Sequence, residues 1–200
     1  MTTQSAPKAL FSIEEYLRNE EKSQTKHEYH EGEILAMSGG TFEHSLISAN
    51  FARELGVRLM GSPCVVLESN MRVRIQVAPR YVYPDVTVVC GPPQFDPQDL
   101  RRTTIINPRV IVEVLSDSTE AYDRGEKFTR YREIESFEEY VLVSQRDPMV
   151  ETFTRQSDGT WSFAPWAGID SSVKLRALKI AIPLKGVYAQ VEFPPLGTQP

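Results

Sequence analysis

Glu113 interrupts Val110-Ile111-Val112-Glu113-Val114-Leu115, a run that otherwise reads as a buried strand of β-branched and apolar residues after Pro108. An ionised carboxylate there needs a partner or a bound metal, because desolvation is costly. A second acid, Asp85, follows Pro84 near the start of another strand-like run at 83–89. If 85–89 and 110–113 are antiparallel neighbours, the start of one faces the end of the other and Asp85 stands beside Glu113. Two carboxylates a few ångström apart repel, and a bound cation stabilises both. Oxygen ligands with open positions suit Mg²⁺ or Mn²⁺ better than zinc. Lys127 lies on a segment where Asp123, Lys127 and Tyr131 recur every four residues and so share a helix face. From there a lysine could orient a water or offset charge on a phosphoryl group. The same spacing fits a structural Asp–Lys–Glu ion-pair network, and spacing alone does not choose.

The elements that must position these groups are legible in order. Ser12 with Glu15 three residues later makes a capping box for a first helix. Residues 27–38 read as a hairpin turning at Glu31-Gly32, with His27 and His30 as exposed hairpin positions. Thr41 caps a helix whose Ile47, Phe51, Leu55 and Leu59 are spaced by four, and Glu43 and His44 fall in its first turn. There Glu43 favours the positive end of the helix dipole. Strands are expected at 64–68, 71–76 and 83–89, followed by a long surface loop at 90–107, placed over a cleft. Asp123 and Glu126 read as an N-cap and its acid, starting the helix that carries Lys127. Further on come a strand at 139–144, a hairpin turning at Asp158-Gly159, a last strand at 178–184 and a short helix. Trp161, Phe163 and Trp166 are expected to pack on the sheet or on a dimer partner.

Composition bounds the class. The chain has 200 residues, 40% hydrophobic and 24% charged, which describes a soluble globular protein with a real core. One domain over 1–200 is expected, with flexible tails at 1–10 and 194–200. No signal pattern or membrane span is visible, so the expected location is cytoplasmic. Cys64 and Cys90 lack CxxC spacing and read as small core residues rather than a disulfide or zinc site. A net charge of −5 argues against tight non-specific nucleic-acid binding but not against a local basic cleft. Candidates for such a cleft are Arg72, Arg74, Arg101, Arg102, Arg124, Lys127, Arg130 and Arg132.

Taken together, several stretches carry a resemblance. They are Gly32-Glu33-Ile34, Glu43-His44-Ser45, Arg72-Val73-Arg74, Tyr83-Pro84-Asp85-Val86, Val112-Glu113-Val114-Leu115-Ser116, Tyr122-Asp123-Arg124-Gly125-Glu126-Lys127 and Glu139-Tyr140. In these the chain resembles the Uma-two family of the PD-(D/E)XK, restriction-endonuclease-like superfamily. The resemblance implies an α/β restriction-endonuclease-like fold, a central mixed β-sheet flanked by helices, with extra N-terminal and C-terminal β-hairpins. It implies a metal-dependent endonuclease hydrolysing DNA phosphodiester bonds, with Mg²⁺ or Mn²⁺ as cofactor and DNA as substrate. Asp85 and Glu113 would be metal ligands, with the Val114 carbonyl and with Glu43 as an additional acid. The wider pattern has lysine two positions after its second acid, where this chain has Leu115; the resemblance suggests that Lys127 replaces it. A homodimer is expected if both strands are cut. The alternatives are a catalytically silent, nuclease-derived binding module and, more distantly, a glycosidase carboxylate pair, which the apolar strand setting and the partnering lysine disfavour.

Overall fold

The structure is a computed structural model that describes residues 10–77 and 79–193. Of the expected flexible tails, residues 1–9 and 194–200 lie outside the described residues. The chain runs through α1 (Ile13–Glu20), β1 (His27–His30), β2 (Glu33–Ala36), α2 (Phe42–Arg58), β3 (Cys64–Glu68), β4 (Arg72–Ile75), β5 (Arg80–Val82) and β6 (Val86–Cys90). It continues with β7 (Thr104–Ile105), β8 (Val110–Val114), α3 (Glu120–Tyr122), a π-helical turn (Asp123–Lys127) and α4 (Phe128–Tyr131). Last come β9 (Glu139–Val143), β10 (Met149–Arg155), β11 (Trp161–Ala167), β12 (Ser172–Leu175), β13 (Ile180–Pro183) and α5 (Leu184–Val187).

A six-stranded sheet in the order β11-β10-β9-β8-β6-β3 forms the centre. It is mixed, since β6 and β8 are antiparallel while β8 and β9 are parallel. Alternation along each strand sorts its side chains into two cores. Val86, Val88, Val110, Val112, Val141 and Val143 pack with Ile47, Phe51 and Leu55 of α2. Val89, Ile111, Tyr140 and Leu142 belong instead with Tyr131, Ile134 and Phe137, on and just after α4. The four-residue spacing of α2 is therefore its buried face, and each of its large apolar side chains contributes about 1.5–3 kcal/mol by leaving water.

A second sheet, β2-β1-β5-β4-β7, carries the N-terminal hairpin. The turn of that hairpin holds Glu31 and Gly32 at positive φ, and only glycine takes such a conformation without strain. The strand expected over 83–89 begins only at Val86, and a further strand, β5, precedes it in the other sheet. β5 ends at Val82 in one, β6 begins at Val86 in the other, and Tyr83-Pro84-Asp85 makes the crossing. Residues 71–76 likewise leave the central sheet. The loop 90–107 docks on this second sheet through β7 and through ion pairs of Asp99 with Arg72 and Asp96 with Arg74. It does not line the main cleft, contrary to expectation.

Two further expectations are corrected. Cys64 and Cys90 form a disulfide, because the antiparallel register of β3 and β6 sets them directly opposite one another. They also pack against the core, but a separation of 26 positions does not reveal that register. The helix that carries Lys127 begins at Glu120, so Asp123 and Glu126 are internal to it rather than its cap. Ser12 and Thr41 do cap their helices, each accepting from a backbone N–H in the first turn.

Candidate active site

The ladder Val86↔Val112, extended by one residue, brings Asp85 opposite Glu113 at the edge of a cleft of about 1660 Å³. Asp85 Oδ2 accepts the Val114 backbone N–H at 2.7 Å and lies 3.3 Å from His44 Nε2. Glu113 Oε1 accepts the Tyr131 hydroxyl at 2.9 Å and lies 2.8 Å from Lys127 Nζ. These contacts occupy one oxygen of each acid. Asp85 Oδ1 and Glu113 Oε2 take no hydrogen bond from the described residues.

Lys127 is 7% exposed and gathers carboxylates around it: Glu113, Asp123 at 3.3 Å and Glu28 at 4.0 Å. The turn that holds Asp123 and Lys127 is π-helical, a local widening often found at functional sites. Burial works against the ammonium, but Glu113, Tyr131, Glu28 and Asp123 together raise its proton affinity well above the usual lysine value. Burial also pushes Glu113 well above the ordinary carboxylate range; the Lys127 charge opposes this, and Asp123 and Asp85 reinforce it. Leu115 lies in the core cluster shared with Tyr131, so the position two after Glu113 supplies packing while the lysine comes from the helix.

Two participants were given no site role from the sequence. Glu28, on β1, is buried; it accepts from the Tyr83 backbone N–H at 3.4 Å and lies 2.9 Å from His30 Nε2. Burial raises its proton affinity, but Lys127 and His30 outweigh this and hold Glu28 below the ordinary range. His27 and His30 are therefore not free hairpin positions, since His27 pairs with Glu20 at 2.9 Å. His44 is the second. Its hydrogen bond to Asp85 raises its proton affinity above the usual value; burial opposes this, and the Asp85 charge, the Val114 backbone and the Asp123 charge add to it. A signal for His44 was present in the sequence, because it sits three residues before Ile47 and so shares the inward face of α2.

Glu43 lines the same cleft, yet among the described residues no three His, Cys, Asp or Glu groups converge closely enough to hold a metal ion. The basic residues expected to line a DNA cleft are largely committed elsewhere. Arg72 and Arg74 are tied to the 90–107 loop, Arg124 pairs with Glu120 at 2.8 Å and Glu151 at 2.5 Å, and Arg130 pairs with Glu133 at 3.2 Å.

A family model described as "Uma2: Putative restriction endonuclease" matches residues 13–182, from the first helix through the last strand of the fold. The chain belongs to this family. Within reach of the Uma2 chain are two uncharacterised proteins of Synechocystis sp. One is 36% identical over 94% of this chain and 97% of its own length, the other 31% identical over 86% and 96%. A crystal structure from Anabaena variabilis, described as "a putative nuclease belonging to DUF820", superposes with a TM-score of 0.72 at 14% identity. It covers 91% of this chain and 99% of its own. That likeness shows that this Uma2 protein shares the neighbour's fold, a mixed α/β architecture with few helices.

Proposed function

We propose that this protein is a metal-dependent nuclease acting on DNA phosphodiester bonds, with Asp85, Glu113 and Lys127 as its catalytic side chains. The observation that carries the reading is the approach of a buried lysine to one oxygen of Glu113 while Asp85 meets the same strand end. The donor chemistry, carboxylate oxygen, suits a hard divalent cation. Two carboxylates keep oxygens without hydrogen bonds from the described residues, and the raised proton affinity of His44 beside Asp85 marks a place where positive charge is favoured. A bound Mg²⁺ or Mn²⁺ would supply charge stabilisation for a phosphodiester in reaction. Asp85 and Glu113 would hold it, with the Val114 carbonyl and Glu43 as further oxygen donors on the same cleft.

The chain's own residues do the rest. Lys127 keeps its positive charge through Glu28 and Asp123 and offers it to phosphate oxygens, the service that Leu115 cannot give. Tyr131 fixes the carboxylate of Glu113, and the Val114 N–H fixes that of Asp85. Family membership and the architecture support a nuclease over a glycosidase. The competing reading is a silent binding module, favoured by the apolar Leu115 and by the lack of a third converging ligand among the described residues. Calorimetric titration with Mn²⁺ separates the two. A nuclease site gives binding that Asp85→Asn and Glu113→Gln both remove; heats that the two variants leave unchanged would favour the silent module.

A further inference from the structure

The cleft is poorly matched in charge to a polyanion. Nine of its lining residues are Asp or Glu and three are Lys or Arg. Of those three, Lys127 sits at the reacting centre beside Glu113 and Asp123, and Arg146 pairs with Asp117 at 2.7 Å. Lys26 differs. Among the described residues no carboxylate lies within ion-pair distance of it; its ammonium donates to the Ser69 carbonyl at 2.8 Å and sits 3.3 Å from the Ser69 hydroxyl. The Tyr83 ring lies beneath it, 5.4 Å from centroid to nitrogen. These contacts aim the ammonium without neutralising it, and of its three N–H groups at least one is left for a ligand.

The location of Lys26 gives this charge a use. The main cleft adjoins a smaller hollow of about 230 Å³, and the two share Thr25, Lys26 and Tyr83. Arg101 lines the hollow, and Arg72 lines it too, with Nε and Nη1 buried and without a hydrogen-bond partner. Arg101 pairs with Glu21 at 3.3 Å while 62% exposed, the kind of surface pair worth about 0–1 kcal/mol and readily exchanged for another anion. Resting on the nuclease reading, we propose that Lys26 grips a backbone phosphate of the substrate strand beside the reacting one. The strand then leaves the Asp85–Glu113 pair over Lys26 toward Arg101. Phosphate contacts of this kind fix register and carry no base preference.

The test is binding of a short labelled DNA duplex, and of its single strand, in Ca²⁺ across a series of NaCl concentrations. Lys26→Gln is expected to weaken binding at low salt by roughly fivefold or more and to make the log–log salt slope shallower by about one. Lys26→Arg should keep both near wild type, and so should Lys185→Gln on the exposed surface of α5. Melting temperatures of all three variants separate loss of contact from loss of fold. Wild-type affinity and slope in a folded Lys26→Gln would overturn the proposal. So would a Lys26→Arg variant as impaired as Lys26→Gln, because that marks a role in shape and not in charge. Wild-type protein that binds neither DNA would overturn the nuclease reading itself, and this proposal with it.

Discussion

Lys127 is the residue on which the buried charge balance turns. Three carboxylates surround its ammonium, and removing it while keeping its volume leaves Glu113 and Asp123 buried without their cation. Lys127→Met is therefore expected to destabilise the metal-free protein by about 3–5 kcal/mol in urea unfolding. A loss below about 1 kcal/mol would show that Glu113 and Asp123 do not depend on it. Asp85, Glu113 and Lys127 were legible in the sequence because each breaks or repeats a pattern. One acid stands inside an apolar strand, one follows a proline, and one lysine keeps four-residue spacing with Asp123 and Tyr131. Glu28 had no such signal. It sits in a short hairpin strand between polar neighbours, and only the joining of β1 to β5 turns it inward.

At the scale of elements, local chemistry transmitted well and long-range register did not. Capping residues, the Glu31-Gly32 turn and the Asp158-Gly159 turn mark their elements through interactions a few residues long. The Cys64–Cys90 bond and the crossing of the chain between the sheets at Tyr83-Pro84-Asp85 depend on which strands pair, and no local pattern encodes that choice. The π-helical turn is a similar case, since Asp123 and Glu126 have the spacing of a cap while lying inside a helix already begun. Thr41 matters most among the caps because it starts the helix that presents His44 to Asp85. Its hydroxyl accepts from the His44 N–H at 3.1 Å and donates to Gln145 at 2.9 Å. Thr41→Ala should cost about 0.5–2 kcal/mol in thermal or urea unfolding, and Thr41→Ser much less. Equal losses in the two variants would mean that the hydroxyl is not the source. Deeper in the same helix, Leu55→Ala should cost about 2–5 kcal/mol, since Leu55 is fully buried between α2 and the central sheet. A loss under about 1 kcal/mol would mean that the central core does not depend on this face of α2.

Across the whole molecule, the two sheets are held together at the site itself, where Tyr83-Pro84-Asp85 crosses between them. The 90–107 loop is bound to the second sheet by a buried acid. Asp99 accepts from the Thr103 N–H at 3.0 Å and its hydroxyl at 2.7 Å, and pairs with Arg72 at 3.1 Å. Burial raises its proton affinity, but the nearby Thr104 hydroxyl, the Thr103 hydrogen bonds and the Arg72 charge outweigh this and hold Asp99 below its ordinary value. Its stabilisation is thus fully present above the unfolded aspartate value of about 3.9 and is lost as pH falls through the lower folded value. The stability gap between wild type and Asp99→Asn should accordingly shrink below about pH 4 in urea unfolding; a gap constant with pH would contradict this role. Individual strands and helices were readable from the sequence because their periods are local, and the fold class came with the family resemblance, whereas the destination of the 90–107 loop is set by ion pairs spanning distant positions. The central claim concerns what the site does with its paired acids. Incubating DNA substrates with Mg²⁺ or Mn²⁺ tests it most directly, comparing wild type with Asp85→Asn and Glu113→Gln of unchanged melting behaviour. The account predicts cleavage by wild type and none by either variant; metal-dependent cleavage retained in a purified variant would contradict it.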